Sequence, residues 1–261
     1  MAAIELNVIR PDAPMRWLKA GASDLKRAPI VSIGYGLVFV GLGALLSAGF
    51  WWVGASAWIP VALSSFALIA PLFAVGFYQI SKHIDEGKEI SFNDIWLVSG
   101  EKISQVAFLG VLLIILLFVW LQIAQFLYAY FASQNYQSLS DFTSWVLTNP
   151  AGMAMAVVGT ALGAGLGLAA FAISAISFPM LIDREIDAAT AMIASVTAVR
   201  RYPLAMLTWA WLIAFWTVIG TAFFLVGLAV VFPWLGHASW RAYQDLCTSS
   251  GPSAEPVVDA S

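Results

Sequence analysis

From Val31 to Ile80 the chain carries no charged residue at all. A soluble fold must cover its surface with polar groups, so a stretch of that length has no place in water. Lipid is the solvent that suits it. The rest of the composition agrees: 61% of the residues are hydrophobic and 10% are charged, against roughly a quarter charged in soluble domains.

A helix rises about 1.5 Å per residue, so about 20 apolar residues span a hydrocarbon core of roughly 30 Å. Four crossings follow directly, at Ile30 to Phe50, Trp58 to Ile80, Val106 to Phe131 and Met153 to Phe178. The run from Leu204 to Leu235 is long for one crossing and short for two. Cytoplasmic loops hold the excess of Lys and Arg, and with the N-terminus inside, all the basic residues except Arg241 fall on the inner side. Arg241 joins them only if the chain turns back near Gly220, giving crossings at Leu204 to Thr221 and Phe224 to Tyr243. The expected fold is therefore all-α and polytopic, with six transmembrane helices in three hairpins, and five crossings as the alternative. Residues 1–14 are expected to be a flexible N-terminal segment, 15–246 one helical membrane domain, and 247–261 a disordered cytoplasmic tail rich in Ser, Pro, Val and Asp.

The hairpins share features. An amphipathic segment introduces each one: Trp17-Leu18-Lys19-Ala20-Gly21 before the first, Trp96-Leu97-Val98-Ser99-Gly100 before the second, and a segment ending Arg200-Arg201-Tyr202-Pro203 before the third. Ser91 with Asp94 has the form of a capping box, and Ile95, Trp96, Ser99 and Ile103 then share one face. Such helices suit the headgroup layer, with their basic residues toward phosphates. The second helix of each hairpin contains a proline before two bulky apolar residues, at Pro71, Pro179 and Pro233.

Intramembrane ionisable residues mark proton relays and ion paths, and the first five expected crossings contain none. The polar candidates are Gln79, Gln105, Gln122, Gln125, His237 and, at the inner end, Tyr243. Gln122 and Gln125 lie three apart and are expected to face one neighbour, as packing hydrogen bonds of about 1 kcal/mol or less each or as a small polar site. Gly159, Gly163 and Gly167 recur every four residues and make a smooth stripe, suited to close approach of an internal helix or of a partner. Trp51, Trp52, Trp58 and Trp145 read as an outer aromatic belt, and Trp17, Trp96 and Trp240 as an inner one.

Two histidines, His83 and His237, and one cysteine, Cys247, do not supply a haem, copper or zinc site. The Gly-x-Ser-x-Gly elbow, the phosphate-binding glycine loop and the dinucleotide fingerprint are missing. No cofactor, metal or catalytic residue is expected, and a net charge of −3 gives no footprint for nucleic acid. The expected surroundings are a lipid bilayer and other integral membrane proteins or further copies of the chain.

The run Pro233-Trp234-Leu235-Gly236-His237-Ala238-Ser239-Trp240-Arg241-Ala242-Tyr243-Gln244-Asp245-Leu246 resembles the closing signature of a family of bacterial integral membrane proteins of unknown function. Gly76-Phe77-Tyr78-Gln79-Ile80-Ser81-Lys82 is similar to that family's pattern after its second helix. Some members carry the label cytochrome c oxidase subunit I, which the histidine inventory contradicts as chemistry and which hints only at proximity to respiratory complexes. The resemblance implies a multi-pass bacterial inner-membrane protein. With the uncharged core, it points to a non-enzymatic accessory, assembly or scaffold component; the alternative is a carrier or channel for a small neutral or lipid-like solute, with a midplane cavity where helices break at Pro71 and Pro233.

Overall fold

The computed structural model describes residues 6–92, 100–132, 135–223 and 225–247. Among them are eleven α-helices and no strand: α1 Ala13–Arg27, α2 Pro29–Trp52, α3 Ile59–Phe73, α4 Val75–Asp85, α5 Gly100–Phe131, α6 Leu139–Thr148, α7 Pro150–Ser174, α8 Ser177–Asp183, α9 Ala188–Arg201, α10 Pro203–Ala222 and α11 Leu228–Cys247. Proline opens α2, α7 and α10, where its missing N–H costs nothing and its fixed φ already suits a helix. Asp187 caps α9, and hydrogen bonds from the Thr190 hydroxyl and then its backbone N–H hold the Asp187 carboxyl below its ordinary range. That cap is in place above the ordinary carboxylate range and is lost as pH falls through the lowered value.

Five helical stretches are long and apolar enough to cross a membrane: Pro29–Trp52, Ser56–Asp85, Lys102–Phe131, Pro150–Asp183 and Pro203–Ala222. The second and fourth are each two helices end to end. The second breaks at Ala74, just past Pro71, and the fourth breaks at Ala175 and Ile176, just before Pro179. Pro233 does not break its helix: α11 runs through it.

The stretch α11 is absent from the five because its second half carries Arg241, Gln244 and Asp245. It nonetheless turns back along α10. Leu225 takes a left-handed backbone (φ 65°), a Cβ on Gly227 would stand 2.7 Å from the Gly220 carbonyl, and Trp216 meets Trp234 at 4.9 Å. The reversal lies beside Gly220, the place named from the sequence. It brings Arg241 to the end of the bundle that holds Asp24 of α1 and Asp85 of α4.

That basic end is the packed end. The inner pieces α4, α8 and α11 all touch one another, and α11 also lies against α1, α2 and α10. Trp17, Trp209, Trp240, Tyr243, Phe77 and Phe178 are fully buried there. Toward the other end Trp51, Trp52, Phe118, Phe126, Val157 and Val218 are exposed, as surfaces solvated by lipid should be. Residues 6–12, assigned from sequence to a flexible segment, lie against the end of α11, with Leu6 and Ile9 buried and the Asn7 N–H donating to the Leu246 carbonyl at 2.9 Å.

The amphipathic lead-ins have their apolar faces covered by protein. In α1 the buried positions are Ala13, Pro14, Trp17, Leu18, Gly21 and Asp24, one face at helical spacing, and this face packs on α11. In α9 they are Ala188, Ala191, Ala194, Ser195 and Ala198, against α7, α8 and α10. Each of these two lead-ins thus rests on the second helix of the preceding hairpin, with α1 closing the ring onto the last. The Ser91–Asp94 capping box and the Trp96 face involve residues 93–99, and the tail residues 248–261; both lie outside the described residues.

The tightest crossings use glycines other than the regular stripe. A Cβ on Gly21 would stand 2.5 Å from the Ala238 nitrogen, one on Gly36 2.7 Å from the Ala229 oxygen, and one on Gly236 2.8 Å from the Phe77 Cβ. On the stripe, Gly159 meets Leu127 at 3.5 Å, Gly163 meets the Trp120 ring at 3.2 Å, and Gly167 has nothing within 4 Å. The internal helix α5 therefore uses two of the three positions, and Gly167 stays open. Gly21→Ala is expected to lower stability by about 1–3 kcal/mol through overpacking, whereas Gly167→Ala should leave it within about 0.5 kcal/mol. Unfolding the two variants side by side in one detergent checks the difference.

Candidate functional site

The polar side chains that matter sit at the packed end, around α11. Arg241 places Nε and Nη2 on the two oxygens of Asp24, both at 2.7 Å, and its Nη1 lies 2.7 Å from Asp85 Oδ1. A planar guanidinium can serve both carboxylates at once, and such charge-assisted forks are roughly twice as strong as neutral hydrogen bonds. Asp24 is only 2% exposed. The other Asp85 oxygen accepts from the Trp240 indole at 2.8 Å and the Gln244 amide at 2.7 Å.

From Asp24 the network runs inward. The Ser81 hydroxyl donates to Asp24 Oδ2 at 3.3 Å and lies 2.7 Å from His237 Nδ1, while Ser32 Oγ lies 2.9 Å from Nε2. One tautomer satisfies every group: Nδ1–H donates to Ser81, Ser81 donates to Asp24, and Ser32 donates to Nε2. That assignment follows from the bonding pattern, since hydrogens are inferred. His237 is fully buried, and both of its ring nitrogens are occupied by the chain's own hydroxyls.

The same end holds two smaller clusters. Tyr243 donates to Asp183 Oδ2 at 2.6 Å, Lys82 lies 3.4 Å from Asp183 Oδ1, and Arg184 donates to the Tyr243 oxygen at 3.1 Å and to the Cys247 carbonyl. Asp245 accepts from the Trp17 indole at 2.8 Å and pairs with Arg16 at 3.2 Å. Asp85 and Asp183 end α4 and α8, and Asp245 lies in the last turn of α11. A carboxylate there opposes the helix dipole. In each case a cation and an aromatic donor from another helix offset that cost: Arg241 with Trp240, Lys82 with Tyr243, Arg16 with Trp17.

Of the residues singled out in the sequence, His237 and Tyr243 belong to this end, while Gln105, Gln122 and Gln125 lie along α5. Gln79 is half-buried on α4. Gln105 accepts the Ala188 N–H at 2.8 Å, fastening the start of α9 to α5. Gln122 and Gln125 do not face one neighbour. Gln122 borders an apolar groove with Phe118, Phe126 and Leu162, whereas Gln125 borders a polar cleft at the far end with Trp58, Tyr128 and Gln137. They stand about 60° apart around α5 and about 4.5 Å apart along it, close on the helix yet bordering different recesses. The inner tryptophan belt is also corrected: Trp17 and Trp240 are interior hydrogen-bond donors, and Trp145, assigned to the outer belt, is buried against Tyr136. Residue Trp96 lies outside the described residues.

Sequence reasoning did not single out Asp24, Ser32, Ser81 or Asp85. A signal was present, because the two distinctive runs Gly76–Lys82 and Pro233–Leu246 meet in space. Gly236 packs on Phe77, and His237 bonds Ser81.

The comparison with known families bears on the helices that carry this end. Residues 58–183 match the family described as Predicted integral membrane protein (DUF2189). The DUF2189 stretch runs from the second crossing to the end of α8, so it contains Ser81, Lys82, Asp85 and Asp183. The run Pro233–Leu246 falls outside it. No curated protein and no solved structure matches the chain.

Removing the cation would strand the buried Asp24 carboxylate and take one partner from the partly exposed Asp85. Arg241→Ala should cost about 3–5 kcal/mol, and pairing it with Asp24→Leu should cost less than the two single changes together. A double-mutant cycle on reconstituted protein reads that coupling.

Proposed function

We propose that this chain is a non-enzymatic multi-pass protein of a bacterial inner membrane, with both termini cytoplasmic, acting as an accessory, assembly or scaffold component of a membrane complex. A respiratory complex is the candidate suggested by the family resemblance. The orientation rests on the basic residues gathered at one end.

The observation that supports a structural role over a conduit is the filling of the bundle's middle. The alternative reading needs a cavity between the second and sixth helices near Pro71 and Pro233. That space holds phenyl rings: Phe39 lies 5.1 Å from Phe73 and 5.2 Å from Phe232, and Phe77 lies 4.9 Å from Tyr35 and 5.2 Å from Phe232. Rings at these separations are in ordinary aromatic contact, and they close the space that a solute would occupy. Below them Asp24, Asp85, Asp183 and Asp245 are each paired with a cation of the chain, so this cluster resembles a set of fastenings more than a binding site. Away from the basic end the exposed surface is apolar and helical.

Purification in lipid nanodiscs from membranes at native expression should recover a defined set of other integral membrane proteins in fixed stoichiometry. Recovery of the chain alone, together with flux of a neutral solute in proteoliposomes that Phe39→Ala increases, would replace the scaffold reading with the conduit.

A further inference from the structure

At the end opposite the basic one, the turn after α2, the last turns of α5 and residues 135–137 enclose a cleft of about 720 Å³, within the range of roughly 300–1,000 Å³ of small-molecule sites. Hydrogen bonds between these connections hold its shape. The Ala57 N–H donates to the Gln137 carbonyl at 3.0 Å, and the Tyr128 hydroxyl accepts the Tyr136 N–H at 2.5 Å while donating to the Tyr136 carbonyl at 3.3 Å. The walls are of two kinds. Gln125, Asn135 and Gln137 present exposed side-chain amides, and among the described residues no group hydrogen-bonds these amides or the Trp58 indole N–H. Between them stand half-buried rings: Trp58 and Tyr128 lie 6.1 Å apart, and Tyr136 is backed by Trp145 at 4.9 Å. Among the described residues no charged side chain lines the cleft.

We propose that this cleft binds the ring of a neutral sugar, with Trp58 and Tyr128 against its apolar face and the amides of Gln125 and Gln137 on its hydroxyls. A primary amide both donates and accepts, as a hydroxyl does, so the two pair without help from any charge. A sugar ring combines a C–H face, which suits an aromatic ring, with a rim of hydroxyls, and so matches both kinds of wall at once. Other occupants match only one. An ion finds no opposite charge in the cleft. An acyl chain would cover the rings but bury three amides and an indole N–H without partners, which is costly. A quaternary ammonium group would use the rings and leave the amides idle. The sugar can arrive free or as the headgroup of a glycolipid, since the recognised chemistry is the same. The inference goes beyond the accessory role and stands without it, because it concerns the purified chain alone.

The test uses the full chain in phospholipid nanodiscs, prepared without glycoside detergents. In one arm, saturation-transfer NMR probes maltose, lactose and N-acetylglucosamine in solution, with choline as the cationic control. In the other, the nanodiscs contain a monoglucosyl diacylglycerol, and native mass spectrometry reads the lipid retained by the protein. Binding in the first arm identifies a free saccharide and binding in the second a glycolipid headgroup; either supports the proposal if the variants respond as follows. Gln125→Leu and Gln137→Leu should each weaken binding about tenfold, and Gln122→Leu, which borders the neighbouring apolar groove, should leave it unchanged. Both cleft variants should melt as the wild type does, since neither amide has a partner inside the chain. Absence of binding in both arms overturns the proposal and leaves the cleft to water. Sugar binding that Gln125→Leu and Gln137→Leu leave untouched overturns it too, as does binding of choline in place of every sugar, which would make the rings a cation cage. None of these outcomes decides whether the chain serves another complex.

Discussion

The fork between Arg241 and Asp24, extended to Asp85, is the contact on which the arrangement of this bundle depends. It ties the last helix to the first and to the end of the second crossing. Three elements far apart in sequence are thereby held at one level. The helix that carries Arg241 is the least apolar of the long helices, and its second half would not remain in a lipid environment on hydropathy alone. Charge pairing gives it a reason to sit at the centre. Once it is there, the close backbone crossings at Gly21, Gly36 and Gly236 become possible, and van der Waals contact along α11 adds to what the ion pairs begin.

The two ends of the molecule answer to different solvents. At the basic end side chains pack as in a soluble protein, with buried aromatics and hydrogen-bonded carboxylates. Toward the other end the helices expose Leu, Val, Phe and Trp, and lipid contributes no hydrophobic drive to gather them. The connections at that end are fastened to each other by hydrogen bonds: the Leu139 N–H donates to Ser56 Oγ at 2.9 Å, and the Ala57 N–H to the Gln137 carbonyl at 3.0 Å. Stability is concentrated where charges and rings meet.

The crossings were legible in the sequence because hydrocarbon thickness imposes a length and a polarity that show in any window of residues. The reversal at Gly220 was legible only through one arginine, since α11 mixes an apolar half with a polar half and averages to neither. Pairing was not legible: nothing in the spacing of Asp24, Ser81 and His237 tells that they meet, and an acid near the inner interface reads the same whether it is solvated or buried. The glycine stripe receives α5 at Gly159 and Gly163, yet the closest crossings lie elsewhere for a similar reason. Regular spacing marks a smooth face, whereas close approach at Gly21 or Gly36 depends on which helix lies opposite. The tryptophans near the inner interface fit a belt by position, but depth along the chain does not reveal whether an indole turns outward or inward.

The meeting of Asn7 with Leu246, and of α1 with α11, has a consequence for how the molecule comes into being. Chains are made from the N-terminus, so the ten α-helices described before it are synthesised ahead of α11, which fills the space among α1, α2, α4 and α10. Until α11 emerges, Asp24 lacks its cation, Ser32 and Ser81 lack the imidazole between them, and Trp17 lacks its carboxylate. Closing of this end therefore waits for α11. Helix α11 acts as a keystone set after the arch, and a nascent chain stopped short of it lacks the element that packs on α1, α2, α4, α8 and α10.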